Sequence, residues 1–122
     1  MKTLTKSSED YLEAILILEE HGSKIKSVDI ASMLNVSRPA VNKATNELRE
    51  YGYITKEDYS SIVLTDAGRQ AAAHIYEKHR LIRSFLIKLG VSEENSEIDC
   101  CKIEHIISEE TFSAFKNYVN KK

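Results

Sequence analysis

No apolar run in this chain approaches the roughly 18 residues needed to cross a bilayer. The longest such stretch, Ala14 to Leu18, is short and flanked by acids. The N-terminus, Met1-Lys2-Thr3-Leu4-Thr5-Lys6, lacks the apolar core of a secretion signal. Both absences argue against membrane insertion and export, and for a cytoplasmic protein. Cysteine is scarce: the 122 residues hold two, the neighbours Cys100 and Cys101. Adjacent cysteines rarely bridge each other because the geometry is strained, so no disulfide scaffold is implied. In a reducing cytosol both are thiols, available to a metal. An excess of positive charge is missing too. A formal net charge of −2 excludes a generally basic nucleic-acid coat. Internal repeats, low-complexity tracts and linkers are also absent.

What is present is the make-up of a soluble globular protein, with 42% hydrophobic and 30% charged residues. The length suits a single ordinary domain or two small ones. The charges are unevenly placed. Glu9, Asp10, Glu13, Glu19 and Glu20 crowd residues 9–20 without a Lys or Arg. Lys24, Lys26, Arg38, Lys43 and Arg49 then face only Asp29 and Glu47 over residues 24–49. A local basic face is enough for phosphate contacts, and the acidic segment suits a cation. Plain solvation explains either face equally simply.

Apolar periodicity predicts a first helix from about Ser8 to Glu20, capped by Ser7 or Ser8 and ended by His21-Gly22. A second helix spans Val28 to Leu34 after Ser27. Asn35-Val36-Ser37 forms a turn, and Ser37 caps a third helix that carries Pro39 in its first turn and stops at Gly52. Two short helices, a tight turn and a capped second helix form the pattern of a helix-turn-helix. Tyr53–Lys56 and Ile62–Thr65 read as strands, with Tyr59, Ser60 and Ser61 near the tip of a hairpin. A hairpin in this place is the wing of a winged helix. A long helix follows, about Asp66 to Leu89, with Thr65 as cap and Gly90 as stop. Two more helices run from the Ser92 cap to about Ile107 and, after Ser108, from Glu109 to Val119. The long helix carries more apolar surface than its neighbours obviously cover. That points to a two-fold dimer, although the last helices burying it within one chain would also suffice.

Cys101-x-x-Glu104-His105 places a thiol, a carboxylate and an imidazole at i, i+3 and i+4 of a helix-compatible run. On a helix they share one face, and all three are ligands for divalent transition metals. Cys100 offers a competing register, with Glu104 at i+4. Asp10-x-x-Glu13 pairs two acids on the first helix, and His79 lies in the long one. His21 and His74 have no partners in the sequence and read as surface.

With these residues in place, the chain resembles the diphtheria-toxin-repressor and manganese-transport-repressor family of bacterial metalloregulators. The resemblance rests on Ser8-Glu9-Asp10-Tyr11-Leu12-Glu13, Ile30-Ala31, Ser37-x-Pro39-x-Val41, Leu64-Thr65-x-x-Gly68, His79-Arg80-Leu81 and Ile103-Glu104-His105. Each segment alone is weak; six in order at compatible spacing are specific. The implied fold is mainly α: a winged helix-turn-helix DNA-binding domain over residues 1–70, then a helical metal-binding and dimerisation domain over residues 71–122. Because the chain ends after the sixth helix, it resembles the two-domain manganese-type members, which lack the SH3-like domain of the larger iron-type repressors.

The family's metal ligands fall on Asp10, Glu13, His79, Cys101, Glu104 and His105. Manganese-type members share Asp10 and Glu13 but carry a carboxylate where Cys101 stands. Iron-type members have cysteine there and a methionine where Asp10 stands, so this site is a hybrid. The iron-type ancillary site uses a glutamate and a histidine at positions that are here Arg83 and Glu97. His79 is also suited to a primary or binuclear site with Glu13 and Glu104. Carboxylates and imidazole suit Fe²⁺ or Mn²⁺; one thiolate tilts affinity toward Fe²⁺, and Co²⁺ or Zn²⁺ should substitute in vitro.

The resemblance implies a repressor of metal-uptake genes, acting as a homodimer on a palindromic double-stranded operator. Its base-reading positions are Ser37, Pro39 and Lys43, at the start of a recognition helix that also presents Arg38, Ala40 and Asn42. Pro39 and Ala40 can touch a thymine methyl, and Lys43 can reach guanine acceptors. Iron-type readers carry a glutamine where Lys43 stands. Lys24, Lys26, Arg49, Lys56, Tyr59 and Ser60 are candidate phosphate contacts. In this mechanism the cation joins helices one, four and five and thereby fixes the reading heads. The rival reading is a metal-independent winged-helix regulator that answers another ligand. No motif supplies a nucleophile or dedicated general base, so an enzyme is not expected.

Overall fold

A computed structural model describes residues 4–22, 24–57 and 61–121. The chain divides into two compact units, residues 1–73 and 74–122. Its elements are α1 (Lys6–Glu20), α2 (Ser27–Leu34), α3 (Arg38–Glu50), β1 (Ile54–Lys56), β2 (Ile62–Leu64), α4 (Asp66–Lys88), α5 (Glu93–Ile103) and α6 (Glu109–Asn120). The architecture is therefore mainly α with a two-stranded wing.

In the first unit, α1 packs on α2, α3 and β2, and α2 packs on α3. Leu12, Ile15, Ile30, Val41, Leu48, Ile54 and Ile62 are wholly or almost wholly buried and form its core. They recur at helical spacing in α1 and α3 and at alternate positions in the strands, so each element turns one apolar face inward. The wing is antiparallel, with Ile54 opposite Leu64 and Lys56 opposite Ile62. Ile25 extends it by a bridge to Ile62, whose N–H donates to the Ile25 carbonyl at 2.8 Å. Sequence periodicity offered no hint of this pairing, because a single bridging residue has no period.

The helix starts follow side-chain caps, with one correction. α1 begins two residues before the expected Ser8, because Thr5 rather than Ser7 or Ser8 caps it: its Oγ1 accepts the Ser8 N–H at 3.1 Å. Both serines lie inside the first turn. α2 starts at Ser27, with the Asp29 carboxylate accepting the Lys26 N–H at 2.9 Å. It ends at Asn35 in the left-handed region (φ 55°), a conformation asparagine tolerates well. Ser37 caps α3 by accepting the Ala40 N–H at 3.2 Å.

The residues of Leu64-Thr65-x-x-Gly68 find their physical reason where α4 leaves the wing. Thr65 Oγ1 accepts the Gly68 N–H at 3.0 Å and donates to the Gly52 carbonyl at 2.6 Å. The Thr65 N–H bonds the Tyr53 carbonyl at 3.0 Å. Any β-carbon on Gly68 would overlap that Tyr53 carbonyl oxygen, so glycine is required by close approach of two backbones.

In the second unit, Ile75 and Ile82 of α4 and Phe112 of α6 are buried. Phe85 stacks on Phe115 with centroids 5.0 Å apart and meets Tyr118 edge-on at 5.9 Å. Ser92 and Ser108 cap α5 and α6 as the sequence suggested, accepting the Asn95 and Thr111 N–H groups at 3.1 Å each. α5, however, ends at Ile103 and not near Ile107. Beyond it the chain tightens into i→i+3 bonds, His105 to Lys102 and Ile106 to Ile103, then opens to the extended backbone the Ser108 cap needs. Among the described residues, no helix is long and apolar enough to cross a membrane.

Candidate metal centre and nucleic-acid interface

The second unit gathers its metal-type side chains around His79. On α5, Glu97, Cys100, Cys101 and the capping residue Glu104 are spaced by three and four, so they line one helix face. His79 of α4 meets that face with both ring nitrogens. Nδ1 lies 2.8 Å from Glu104 Oε1, and Nε2 lies 3.1 Å from Glu97 Oε2. Cys100 Sγ is 3.6 Å and Cys101 Sγ 3.9 Å from His79 Nδ1. The Cys101 thiol also donates to Glu97 Oε2 at 3.5 Å. Arg83, one turn after His79, holds the other Glu97 oxygen at 3.1 Å. Tyr76 stacks on the imidazole at 6.5 Å between centroids.

Burial and negative neighbours shape the donors. Cys100 is completely buried and Glu104 nearly so. Burial first, then the Glu97 and Glu104 carboxylates, push the Cys100 thiol up to about 11. Burial first, then Cys100 and Glu97, push Cys101 up to about 12. Without a cation both are therefore protonated at neutral pH, and binding one must release protons. Glu104 Oε2 is buried and has no hydrogen-bond partner among the described residues. A buried acceptor left in this state is costly, and a positively charged ligand is one way to satisfy it. Thiols, carboxylates and an imidazole gathered at His79, with one Glu104 oxygen unsatisfied, fit a divalent transition metal.

The expected ligands are distributed as follows. His79, Cys101 and Glu104 come together in the second unit. His105, half-buried, sits in the turn after α5, outside the regular helix that was expected to carry it. Asp10 and Glu13, both half-buried, lie on α1 in the first unit, where Asp10 pairs with Lys6 at 3.2 Å. Glu97, a further candidate donor, is not among the expected ligands, and Cys100 is among them only through a competing register. The signal was there: Glu97-x-x-Cys100-Cys101 repeats the i, i+3, i+4 spacing one helical turn earlier. His74, read as surface, is exposed and shares Glu109 with Lys78, at 3.1 Å and 2.9 Å respectively.

The first unit holds the candidate nucleic-acid face. Val41, Thr45 and Leu48 fix the inner side of α3. Its outer side leaves Ser37, Arg38, Pro39, Ala40, Asn42 and Lys43 exposed around a capped, partly positive helix N-terminus. Asn42 also accepts a hydrogen bond from Ser27 at 3.1 Å, tying the reader to α2. Farther along, Asn46 accepts from Lys56 of β1 at 3.0 Å and from Arg49 at 3.5 Å. Burial and the nearby Arg49 charge lower the Lys56 ammonium from its ordinary range. A phosphate there would relieve the like-charge crowding. Tyr59 and Ser60, expected at the wing tip, lie outside the described residues. Ser61 is not at an exposed tip: it is buried, and its carbonyl accepts the Glu57 N–H at 2.7 Å.

Known proteins match both units. Residues 3–62 match the family described as iron dependent repressor, N-terminal DNA binding domain. Residues 65–121 match iron dependent repressor, metal binding and dimerisation domain. An uncharacterized HTH-type transcriptional regulator of Methanocaldococcus jannaschii is 36% identical over 120 residues, 97% of this chain and 96% of the relative. The transcriptional regulator MntR of Escherichia coli O6:H1 is 35% identical over 113 residues, covering 93% of this chain and 73% of that protein. The solved structure of the manganese regulator SloR superposes with a TM-score of 0.83 at 31% identity over 98% of this chain. This chain spans 55% of the SloR chain. Matched over both of its units, the chain belongs to the diphtheria-toxin-repressor and manganese-transport-repressor family of metal-dependent transcriptional regulators.

Proposed function

We propose that this chain is a DNA-binding transcriptional repressor that senses Fe²⁺ or Mn²⁺ and controls genes of metal uptake, acting as a cytoplasmic homodimer on a palindromic operator. The observation that carries the reading is the buried Glu104 carboxylate. One of its oxygens is held by His79 and the other is unsatisfied, on a helix face that also bears two thiols. Asp10, Glu13, His79, Cys101, Glu104 and His105 are the proposed ligands. A bound divalent cation would supply the positive charge these acids and thiols lack. The solved relatives support a metal signal, since one of them is a manganese-dependent transcriptional repressor in complex with manganese. The thiols beside His79 favour Fe²⁺ over Mn²⁺, because sulfur is a soft ligand.

Regulation then follows from linkage. The cation strengthens DNA binding only by the difference in its affinity for the binding and non-binding states. Ser37, Pro39, Ala40 and Lys43 read base edges; Arg38, Asn42 and the basic residues around α3 and β1 hold the backbone; Tyr59 and Ser60 are the wing's contacts.

The test is selection from a randomised duplex pool by chelator-treated protein, with and without Mn²⁺ or anaerobic Fe²⁺, followed by anisotropy on the winner. Affinity should rise at least about tenfold with metal, or about 1.4 kcal/mol. Glu104→Gln should erase that rise while leaving the basal affinity. Equal binding with and without metal would sink the reading and favour a metal-independent regulator.

A further inference from the structure

The imidazole of His79 meets a carboxylate at each ring nitrogen, and the two carboxylates are unlike. Glu104 is almost wholly buried; its Oε1 lies 2.8 Å from Nδ1, and its Oε2 has no hydrogen-bond partner among the described residues. Glu97 is half exposed and engaged through both oxygens. Its Oε2 lies 3.1 Å from Nε2 and accepts from the Cys101 thiol at 3.5 Å, while its Oε1 accepts from Arg83 Nε at 3.1 Å. We propose that Glu97, braced by Arg83, is a positioning residue of the regulatory metal site. It holds the His79 proton on Nε2 and so leaves Nδ1, beside Glu104, to the cation. The inference rests on the regulatory reading above and deepens it, with His79, Cys101 and Glu104 kept as ligands.

A neutral imidazole carries one N–H and one lone pair. A metal takes the lone pair, so the proton must sit on the other nitrogen. Here two carboxylates compete for that proton. If Nδ1 donates to Glu104, both the lone pair and a Glu104 oxygen are withdrawn from the buried side of the ring. If Nε2 donates to Glu97, Nδ1 and both Glu104 oxygens remain for the cation. A carboxylate on the far nitrogen also makes the near one a better donor.

Arg83 makes Glu97 an orienting group and not one more ligand. It follows His79 by one turn of α4, so both reach the same stretch of α5. Its guanidinium fixes the second Glu97 oxygen and repels any cation that would bind there. Tyr76, stacked on the imidazole with 20° between the planes, limits rotation of the ring. The Arg83 and Glu97 side chains are 37% and 49% exposed, and ion pairs so placed add little stability. Loss of Glu97 should therefore disturb the metal site and not the fold.

The test uses the full chain, treated with chelator, kept anaerobic and labelled with ¹⁵N at histidine, with Zn²⁺ alone as the probe. Long-range ¹H–¹⁵N spectra show whether each ring nitrogen is protonated, bare or metal-bound, and His79→Gln identifies the His79 signals. On loading, Nδ1 should become the metal-bound nitrogen and Nε2 should keep its proton. Metal on Nε2 would overturn the proposal, and so would a His79 ring that Zn²⁺ leaves unchanged. Glu97→Ala should move the proton toward Nδ1 in the metal-free protein. It should also weaken Zn²⁺ binding, read by chelator competition, by about tenfold or more. Unchanged affinity with the proton still on Nε2 would count against the role. Glu97→Gln keeps an acceptor oxygen and should restore both the Nε2 proton and most of the affinity. If Glu97 were itself a ligand, Glu97→Gln would bind as weakly as Glu97→Ala, and the proposal would fall. The spectrum of the unaltered chain decides the matter even where a variant fails to fold. Failure of the regulatory reading looks different: DNA binding would ignore metal while His79 still held Zn²⁺ through Nδ1.

Discussion

At the scale of single residues, two positions carry sharp consequences. Gly68 sits where the start of α4 crosses the Tyr53 carbonyl, so a methyl group has no room. Gly68→Ala should cost about 1–3 kcal/mol through forced backbone displacement. A thermal melt would read this as a clear drop in Tm; an unchanged Tm would mean the two backbones are not held that close. Glu109 is held below the ordinary carboxylate range, first by its hydrogen bond to Lys78 and then by that to His74. The sign follows from linkage. A carboxylate with a lowered folded pKa binds fewer protons folded than unfolded, so its stabilisation is present above the ordinary value near 4.5 and fades as pH falls through the folded value. Glu109→Gln should flatten the acid limb of stability below about pH 4.5 and leave its slope near pH 7 unchanged. Because Glu109 is largely exposed, solvent screening keeps the effect small.

At the scale of elements, α3 separates folding from reading. Ser37 caps the helix and is also one of the proposed base-reading residues. Ser37→Ala should lose about 1 kcal/mol of stability with the cap. Ser37→Asn retains a capping side chain, so it should keep stability and change only operator preference. Lys43 has no structural duty comparable to that of buried Val41 or Thr45. Lys43→Ala should leave Tm in place and cost about 1–3 kcal/mol of discrimination at one base pair, measured by competition among operator variants. An equal loss across all sequences would reassign Lys43 to the phosphates. In α5 the regular helix stops at Ile103, so Glu104 stands at the C-cap and His105 in a tightened turn. The i, i+3, i+4 spacing implies a single helix, yet Cys101, Glu104 and His105 do not ride on one continuous helix.

At the scale of the whole molecule, the family assigns dimerisation to the second unit. There Leu89 and Tyr118 remain 63% and 69% exposed beside Phe85 and Val119, in a groove between the ends of α4 and α6. A fully buried leucine contributes about 1.5–3 kcal/mol. If this groove belongs to the dimer surface, Leu89→Glu should raise the dimer dissociation constant by about tenfold or more. Sedimentation over a concentration series measures it, and an unshifted constant would place the interface elsewhere. A dimeric reader should also lose DNA affinity steeply with salt, since each neutralised phosphate contributes a slope of about −0.9. The net charge of −2 makes this a test of local, not global, positive charge.

The sequence by itself determined the order of the elements, the caps at Ser37, Thr65, Ser92 and Ser108, and the family. Each depends on neighbours within a few positions, where periodicity and capping chemistry operate directly. It also marked His79, Cys101 and Glu104, because three metal-type side chains at helical spacing are legible in a line of text. The tertiary structure alone decided which side chains share an environment. It brought Glu97 and Cys100 to His79, set Arg83 on Glu97, buried Glu104 at the end of α5, and fitted Gly68 against Tyr53. Those are contacts between residues distant in sequence, fixed by how helices and strands pack and not by any local propensity. The candidate ligand types were therefore readable one residue at a time, whereas which of them stand together follows from burial and distance.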